Sequence, residues 1–287
     1  MEKVKQTLRD SKTARWIALA LISLTMFFAY FFIDVAAPLQ IMFQTDYGWS
    51  PEVFGMLGGS EFFLNVFAFF LILSGIILDK MGIRFTIITS GVTMVIGGSI
   101  KYFALSKGFV GSGIEQFLSS FLVNIPASAK LAFFGFAIFG VGVEMAGITV
   151  SKTIVKWFKG KELALAMGLE MAIARLGVFA VFRLSPIFAE NGGASNSVLW
   201  GVAFLIVGLL LFLIYTIMDV RLDRQLGEEA EIELEDAFRI SDLWLILKNP
   251  GFLAIASLCV LFYSAIFPFQ KFATDMLSSK LDISIKE

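Results

Sequence analysis

Seven runs of largely apolar residues, at roughly 16–37, 52–78, 84–105, 131–151, 162–182, 198–219 and 251–269, constrain this chain more than any other feature. A helix needs about 20 such residues to cross a hydrocarbon core. The runs are continuous rather than alternating, which selects helices over a β-barrel. Charged residues make up 16% of the chain, against about 25% in ordinary soluble domains, so it reads as an all-α membrane protein. The first run follows a basic segment, MEKVKQTLRDSKTAR, as a secretory leader would. It continues past Asp34 to Pro38, and DVAAPLQ is a poor cleavage site, so it is read as a span; the small pair Ala36-Ala37 leaves cleavage as the alternative.

Lysine and arginine set the expected orientation. Lys3, Lys5, Arg9, Lys12 and Arg15 precede the first run, and Lys80 and Arg84 lie between the second and third. Lys152, Lys156, Lys159 and Lys161 join the fourth to the fifth, and Arg221, Arg224, Arg239 and Lys248 the sixth to the seventh. The other connections hold only Lys107, Lys130 and Arg183. The N-terminus is therefore expected in the cytoplasm, with the bacterial inner membrane as the expected location.

The expected organisation is a cytoplasmic N-terminus at 1–15, a six-helix bundle at 16–219, a linker at 220–249, a seventh span at 250–270 and the start of an outer loop at 271–287. In the linker, an acidic run from Glu228 to Asp236 is expected to be a solvated face. ISDLWLILKNPG is expected to form a short interfacial helix capped by Ser241 and stopped by Pro250. IEQFLSSFLVNIP, on the opposite side, suggests a short surface helix. Gly140, Gly142 and Gly147 are expected to allow close helix contact.

Several function classes drop out on composition. The net charge of −1 gives no nucleic-acid signal, and the chain has no His and one Cys, Cys259. No metal set, phosphate loop or Ser-His pair is present, so neither an enzyme nor a cofactor is expected. A retinal protein would need a lysine inside its last helix, and none lies between Gly251 and Pro268.

The connection after the second run reads Gly75-Ile-Ile-Leu-Asp79-Lys80-Met-Gly82-Ile83-Arg84. It resembles the signature loop of the major facilitator superfamily, G-x-x-x-D-[RK]-x-G-[RK]-[RK], with Ile83 replacing one basic position. The resemblance implies a gate motif of Gly75, Asp79, Lys80, Gly82 and Arg84, and covers the chain as six helices of a 3+3 inverted repeat, a linker and a seventh helix. On that reading the chain is truncated relative to twelve helices, with the missing C-terminal bundle as its partner and a monomer as the complete form.

Within the superfamily, WFKGKELALAMGLEMAIARLG, with Glu144 thirteen residues before Trp157, is similar to a branch of lysosomal dipeptide uniporters and its bacterial relatives. FIDVAAPLQ and FPFQK are similar to the same branch. That resemblance implies that Asp34, Glu144 and Arg175 bind a zwitterionic substrate, Arg175 taking its carboxylate and an acidic residue its amine. Glu170 departs from the branch, where the dipeptide relative has a neutral residue, and is a candidate proton site.

The bare residues give partial support. Arg175 lies about 18 Å beyond the membrane edge at Leu163, and Glu144 about as far before the edge at Lys156, so both fall near the midplane. Asp34 should lie nearer the outer face. Intramembrane charges are costly unless they face water or a partner, which makes them functional candidates. The competing reading is a structural ion pair of Arg175 with Glu144, or with Glu170. Glu61 is expected at the interface, and Tyr263 is expected to pack between helices. The third and sixth runs are expected to hold no ionisable core group but the Tyr215 hydroxyl, and so to stay outside a cavity. The expected function is alternating-access transport of a small zwitterionic or anionic solute, dipeptides being one class. The alternatives are a facilitator for sugars, drugs or organic acids, and a non-transporting fragment or scaffold.

Overall fold

The computed structural model describes residues 7–227 and 240–281. They fall into two compact units, one ending at Glu233 and one beginning at Leu234. In the first, Ser11 opens α1 (Lys12–Ile33), its hydroxyl accepting from the Ala14 N–H at 3.4 Å. A 3-10 turn at Ala37–Leu39 leads into α2 (Gln40–Tyr47). Then come α3 (Pro51–Phe67), α4 (Phe70–Leu105), the short α5 (Gly113–Ser119), α6 (Ala127–Phe158), α7 (Leu163–Ala189) and α8 (Gly193–Leu226). Pro51 starts α3 with its φ already helical, behind a Ser50 hydroxyl that accepts from the Val53 N–H at 3.3 Å.

Among the described residues, five helices are long and apolar enough to cross a membrane, or six when α3 and α4, bent by 57° at their junction, count as one. Side-chain registers divide that pair differently. Trp49 Nε1 donates to Ser128 Oγ at 3.0 Å, Asn65 Nδ2 to the Gly140 carbonyl at 3.0 Å, and Lys152 Nζ to Asp79 at 2.7 Å. Residue numbers rise together, so 49–79 runs parallel to α6. Beyond it the order inverts: Ser90 and Met94 lie against Gly142, and Gly97 against Gly135. The chain therefore reverses at Gly82, where φ is 78° and ψ 172°, a conformation that a residue with a Cβ adopts only under strain. The first unit thus crosses six times, as the gate motif's turn requires. The second crossing is not the continuous run expected: it breaks at Ala68-Phe69, with Phe69 at φ 55°.

The other registers agree. α7 runs parallel to α1, with Arg15 to Glu162 at 3.2 Å and Ser185 Oγ donating to the Val35 carbonyl at 2.7 Å. α8 runs antiparallel to α1, with Thr25 Oγ1 donating to the Gly208 carbonyl at 3.0 Å and the Leu8 N–H to Gln225 at 2.7 Å. Lys/Arg-rich connections collect at one end, and α2 and α5 at the other.

Gly140 and Gly142 do sit at close helix contacts, whereas Gly147 faces open space. A Cβ on Gly140 would overlap the Glu61 carbonyl, a backbone group that cannot swing aside. Gly140→Val should therefore lower the detergent melting temperature by about 4–8 °C, the effect of roughly 2 kcal/mol of overpacking in a unit of this size. Gly147→Val is the control and should leave it unchanged.

Three expectations fail in the first unit. Glu61 is not interfacial but 2% exposed, against the Gly140 notch. The third crossing is not free of ionisable groups: Lys101 is 1% exposed, its ammonium 3.8 Å from the Phe136 ring centroid and 5.0 Å from that of Phe32. Two aromatic faces supply the favourable surroundings that burial of its charge needs. The sixth crossing carries the buried Asp219, because α8 continues to Leu226 rather than ending at 219.

In the second unit, α9 (Ile240–Leu247) contains Ser241 as its second residue rather than as its cap. Pro250 does not stop that helix but begins α10 (Pro250–Leu281), where its missing N–H costs no helical hydrogen bond. Asn249 is the cap: its Oδ1 accepts from the Gly251 N–H at 2.9 Å and the Phe252 N–H at 3.3 Å. α10 passes Pro268 and reaches Leu281 within the described residues. Tyr263 stacks on Phe267 of its own helix, centroids 5.0 Å apart, and is 40% exposed within its unit. The acidic run lies outside the described residues.

Candidate functional site

Two groups of polar side chains stand out in the first unit, one midway along the helices and one at the basic end. The midway group centres on Tyr30 of α1. The Arg175 guanidinium carbon lies 5.3 Å from the Tyr30 ring centroid, within cation–π range. Glu144, Glu170 and Glu61 also lie within electrostatic reach of this tyrosine, so α3, α6 and α7 each present charge to one ring of α1.

Helix geometry fixes how α7 contributes. Its buried positions, Ala166, Glu170, Ala174, Gly177, Val181 and Ser185, form one stripe, and Gly177 of that stripe meets Phe27 and Phe31 of α1. Five residues separate Glu170 from Arg175, about 140° around the helix. Glu170 is therefore on the packed face, 9% exposed, while Arg175 projects beside it into the open. Glu144 is half-buried on α6. Among the described residues, Arg175 pairs with neither glutamate, so the structural ion pair that competed with a substrate role is not formed. Asp34 stands apart: it closes α1 one turn beyond Tyr30 and is 5% exposed, among the buried residues Val35, Ala36 and Ala37.

The basic-end group contains the signature loop. Lys152 donates to Asp79 at 2.7 Å, and Arg84 reaches Asp223 at 2.9 Å and Asp219 at 3.7 Å. Lys156 bridges the same two aspartates at 2.8 and 2.6 Å. Asp219 also accepts from the Tyr215 hydroxyl at 2.9 Å and from Trp157 Nε1 at 3.3 Å. Lys80 is exposed, and Gly75 has open space around it. Nearby, Lys161 donates to Asp10 at 2.6 Å; that bond, then those from the Thr7 N–H and hydroxyl, holds the Asp10 carboxyl well below the usual carboxylate range. The Asp10 carboxyl is thus ionised throughout the neutral range.

Sequence matching agrees with this architecture. Residues 19–281 match the Major Facilitator Superfamily. The chain belongs to that superfamily. It is an integral membrane protein of a family of transporters, not enzymes, and its six-crossing unit is the first bundle of the fold. Similar proteins include the lysosomal dipeptide transporter MFSD1 of Bos taurus, 31% identical over 273 residues covering 89% of this chain and 52% of the relative. MFSD1 of Homo sapiens is 30% identical with the same coverage, and that of Danio rerio 28% over 261 residues, 85% and 50%. The chain spans about half the length of the curated relatives it matches. No solved structure matches.

Sequence reasoning missed three members of these two groups: Tyr30, Glu61 and Asp219. Tyr30 carried one usable signal, standing one helical turn before Asp34 on the same face. Asp219 is the last residue of the sixth run, 198–219, and its position there gave no sign of burial.

Proposed function

We infer that the complete protein carries a small zwitterionic solute across a membrane by alternating access, the basic end facing the cytoplasm. The observation that carries this reading is an intramembrane guanidinium, that of Arg175, held over Tyr30 beside two glutamates without pairing to either. An arginine at that depth is costly unless water or an anion meets it. Arg175 would receive a carboxylate and Glu144 an amine, with Asp34 at the outer margin of the path. Glu170, acidic and nearly buried beside the substrate groups, would carry a proton that couples to transport. Asp79 and the signature loop would act on the cytoplasmic gate.

Dipeptides are the first solute class to test, because the relatives bear that description. The experiment is uptake of labelled dipeptides by the full-length protein in liposomes at several pH values, with wild type compared with Glu170→Gln. Saturable uptake is expected, with a pH dependence that Glu170→Gln flattens; pH-independent wild-type uptake would remove the proton role. A folded wild type that moved sugars or organic acids but no dipeptide would reassign the solute class.

A further inference from the structure

We propose that Asn65 is a specificity-determining residue that, with Glu144, forms the pole of the site binding the solute's protonated amine. The proposal rests on the zwitterion reading above and deepens it by naming a group on the second crossing.

Asn65 lies in the last turn of α3, 9% exposed. Its Nδ2 donates to the Gly140 carbonyl at 3.0 Å. A carbonyl can only accept, so the amide orientation is fixed: nitrogen towards α6, oxygen away from it. Among the described residues Asn65 Oδ1 has no hydrogen-bond partner, although it is shielded from solvent. A buried acceptor left unmade costs about 1–3 kcal/mol, a cost that a bound donor removes.

The surroundings say which donor. Gly140 begins the turn of α6 that ends at Glu144, and side chains on a helix lean towards its N-terminus, over the preceding turn. Asn65, bonded to the Gly140 carbonyl, and Glu144 therefore share one turn of α6, and Asn65 Oδ1 and the Glu144 carboxylate both accept. Glu61, whose backbone carbonyl packs on the same glycine, adds a second acidic residue. Arg175 and the Tyr30 hydroxyl supply donors on α7 and α1. Acceptors on α3 and α6 and donors on α1 and α7 match a ligand with an ammonium at one end and a carboxylate at the other.

The test is ligand-induced thermal stabilisation of the purified full-length protein by three probes: a free dipeptide, its N-acetyl derivative and its C-terminal amide. The proteins are wild type, Asn65→Val and Asn65→Asp. Asn65→Val should weaken the dipeptide and its amide by about 10- to 100-fold, the loss of one hydrogen bond to a charged group, and leave the N-acetyl probe unchanged. Asn65→Asp keeps the acceptor, and should bind amine-bearing probes at least as well as wild type even if the valine variant does not fold. If Asn65→Val weakened all three probes equally, or none, the amine role would be overturned while the peptide reading stood. Wild type binding the N-acetyl probe as tightly as the free dipeptide would overturn it too. Wild type binding none of the probes would remove the peptide reading and the amine pole together.

Discussion

Arg175→Ala is expected to lower the efficiency of saturable uptake by about 30-fold or more while leaving the fold intact. The size follows from removing one partner of a desolvated charge pair, which costs about 2–5 kcal/mol. The sparing of stability follows from geometry: Arg175 is exposed and pairs with no acid among the described residues, so its loss strands no buried charge. A structural arginine would behave in the opposite way, lowering the melting temperature. Arg175→Lys should fall between, since an ammonium keeps the charge but loses the planar fork that engages both carboxylate oxygens. The check is initial uptake against solute concentration for the full-length protein in liposomes, beside a melting curve of each variant. Wild-type uptake in the alanine variant would sink the anion-anchor role.

Much of the fold was legible because a bilayer leaves few choices. Apolar runs of spanning length had to be helices, and Gly82 marked the one reversal within a single stretch of helix. What escaped has local physical reasons. The break at Ala68-Phe69 carries neither Gly nor Pro, so nothing in the local sequence marks φ 55° at Phe69. Pro250 was ambiguous because proline both follows one helix and begins the next; the Asn249 cap decides between them. Lys101 stands inside the third run, but its burial was not legible because it depends on Phe32 and Phe136, 69 and 35 residues away in sequence. At the midway group, depth along a helix was readable from counting, which put Arg175 and Glu144 on one level. Rotation around the helix was less so: only the packing of Gly177 on α1 shows that Glu170 faces inwards while Arg175 swings clear.

The second large effect is expected at Asp219, and it should be one of stability. Asp219 is 1% exposed and holds Lys156 at 2.8 Å, Tyr215 at 2.9 Å, Trp157 at 3.3 Å and Arg84 at 3.7 Å. Asp219→Ala removes an acceptor from a lysine whose side chain is only 11% exposed and from the buried Tyr215 hydroxyl, while Trp157 Nε1 keeps the Tyr215 oxygen at 3.1 Å. Breaking a buried pair from one side costs about 3–5 kcal/mol, because the charge left behind keeps its desolvation penalty. Asp223 remains 2.6 Å from Lys156 and moderates the loss of charge, but it does not reach the indole or the phenol. Asp219→Asn should therefore be milder, since an amide oxygen still accepts from both. Asp79→Asn sets the other end of the scale: its lysine is 40% exposed, and a pair of that kind contributes about 0–1 kcal/mol. Melting temperatures in detergent should fall in the order Asp79→Asn, Asp219→Asn, Asp219→Ala, the last lowest. Uptake should not follow that order: on the gate role proposed for Asp79, Asp79→Asn should lower transport with little loss of stability. An Asp219→Ala protein as stable as wild type would mean that Arg84 and Lys156, of the third and fourth crossings, are satisfied without it, and that the buried network does not hold the basic end together.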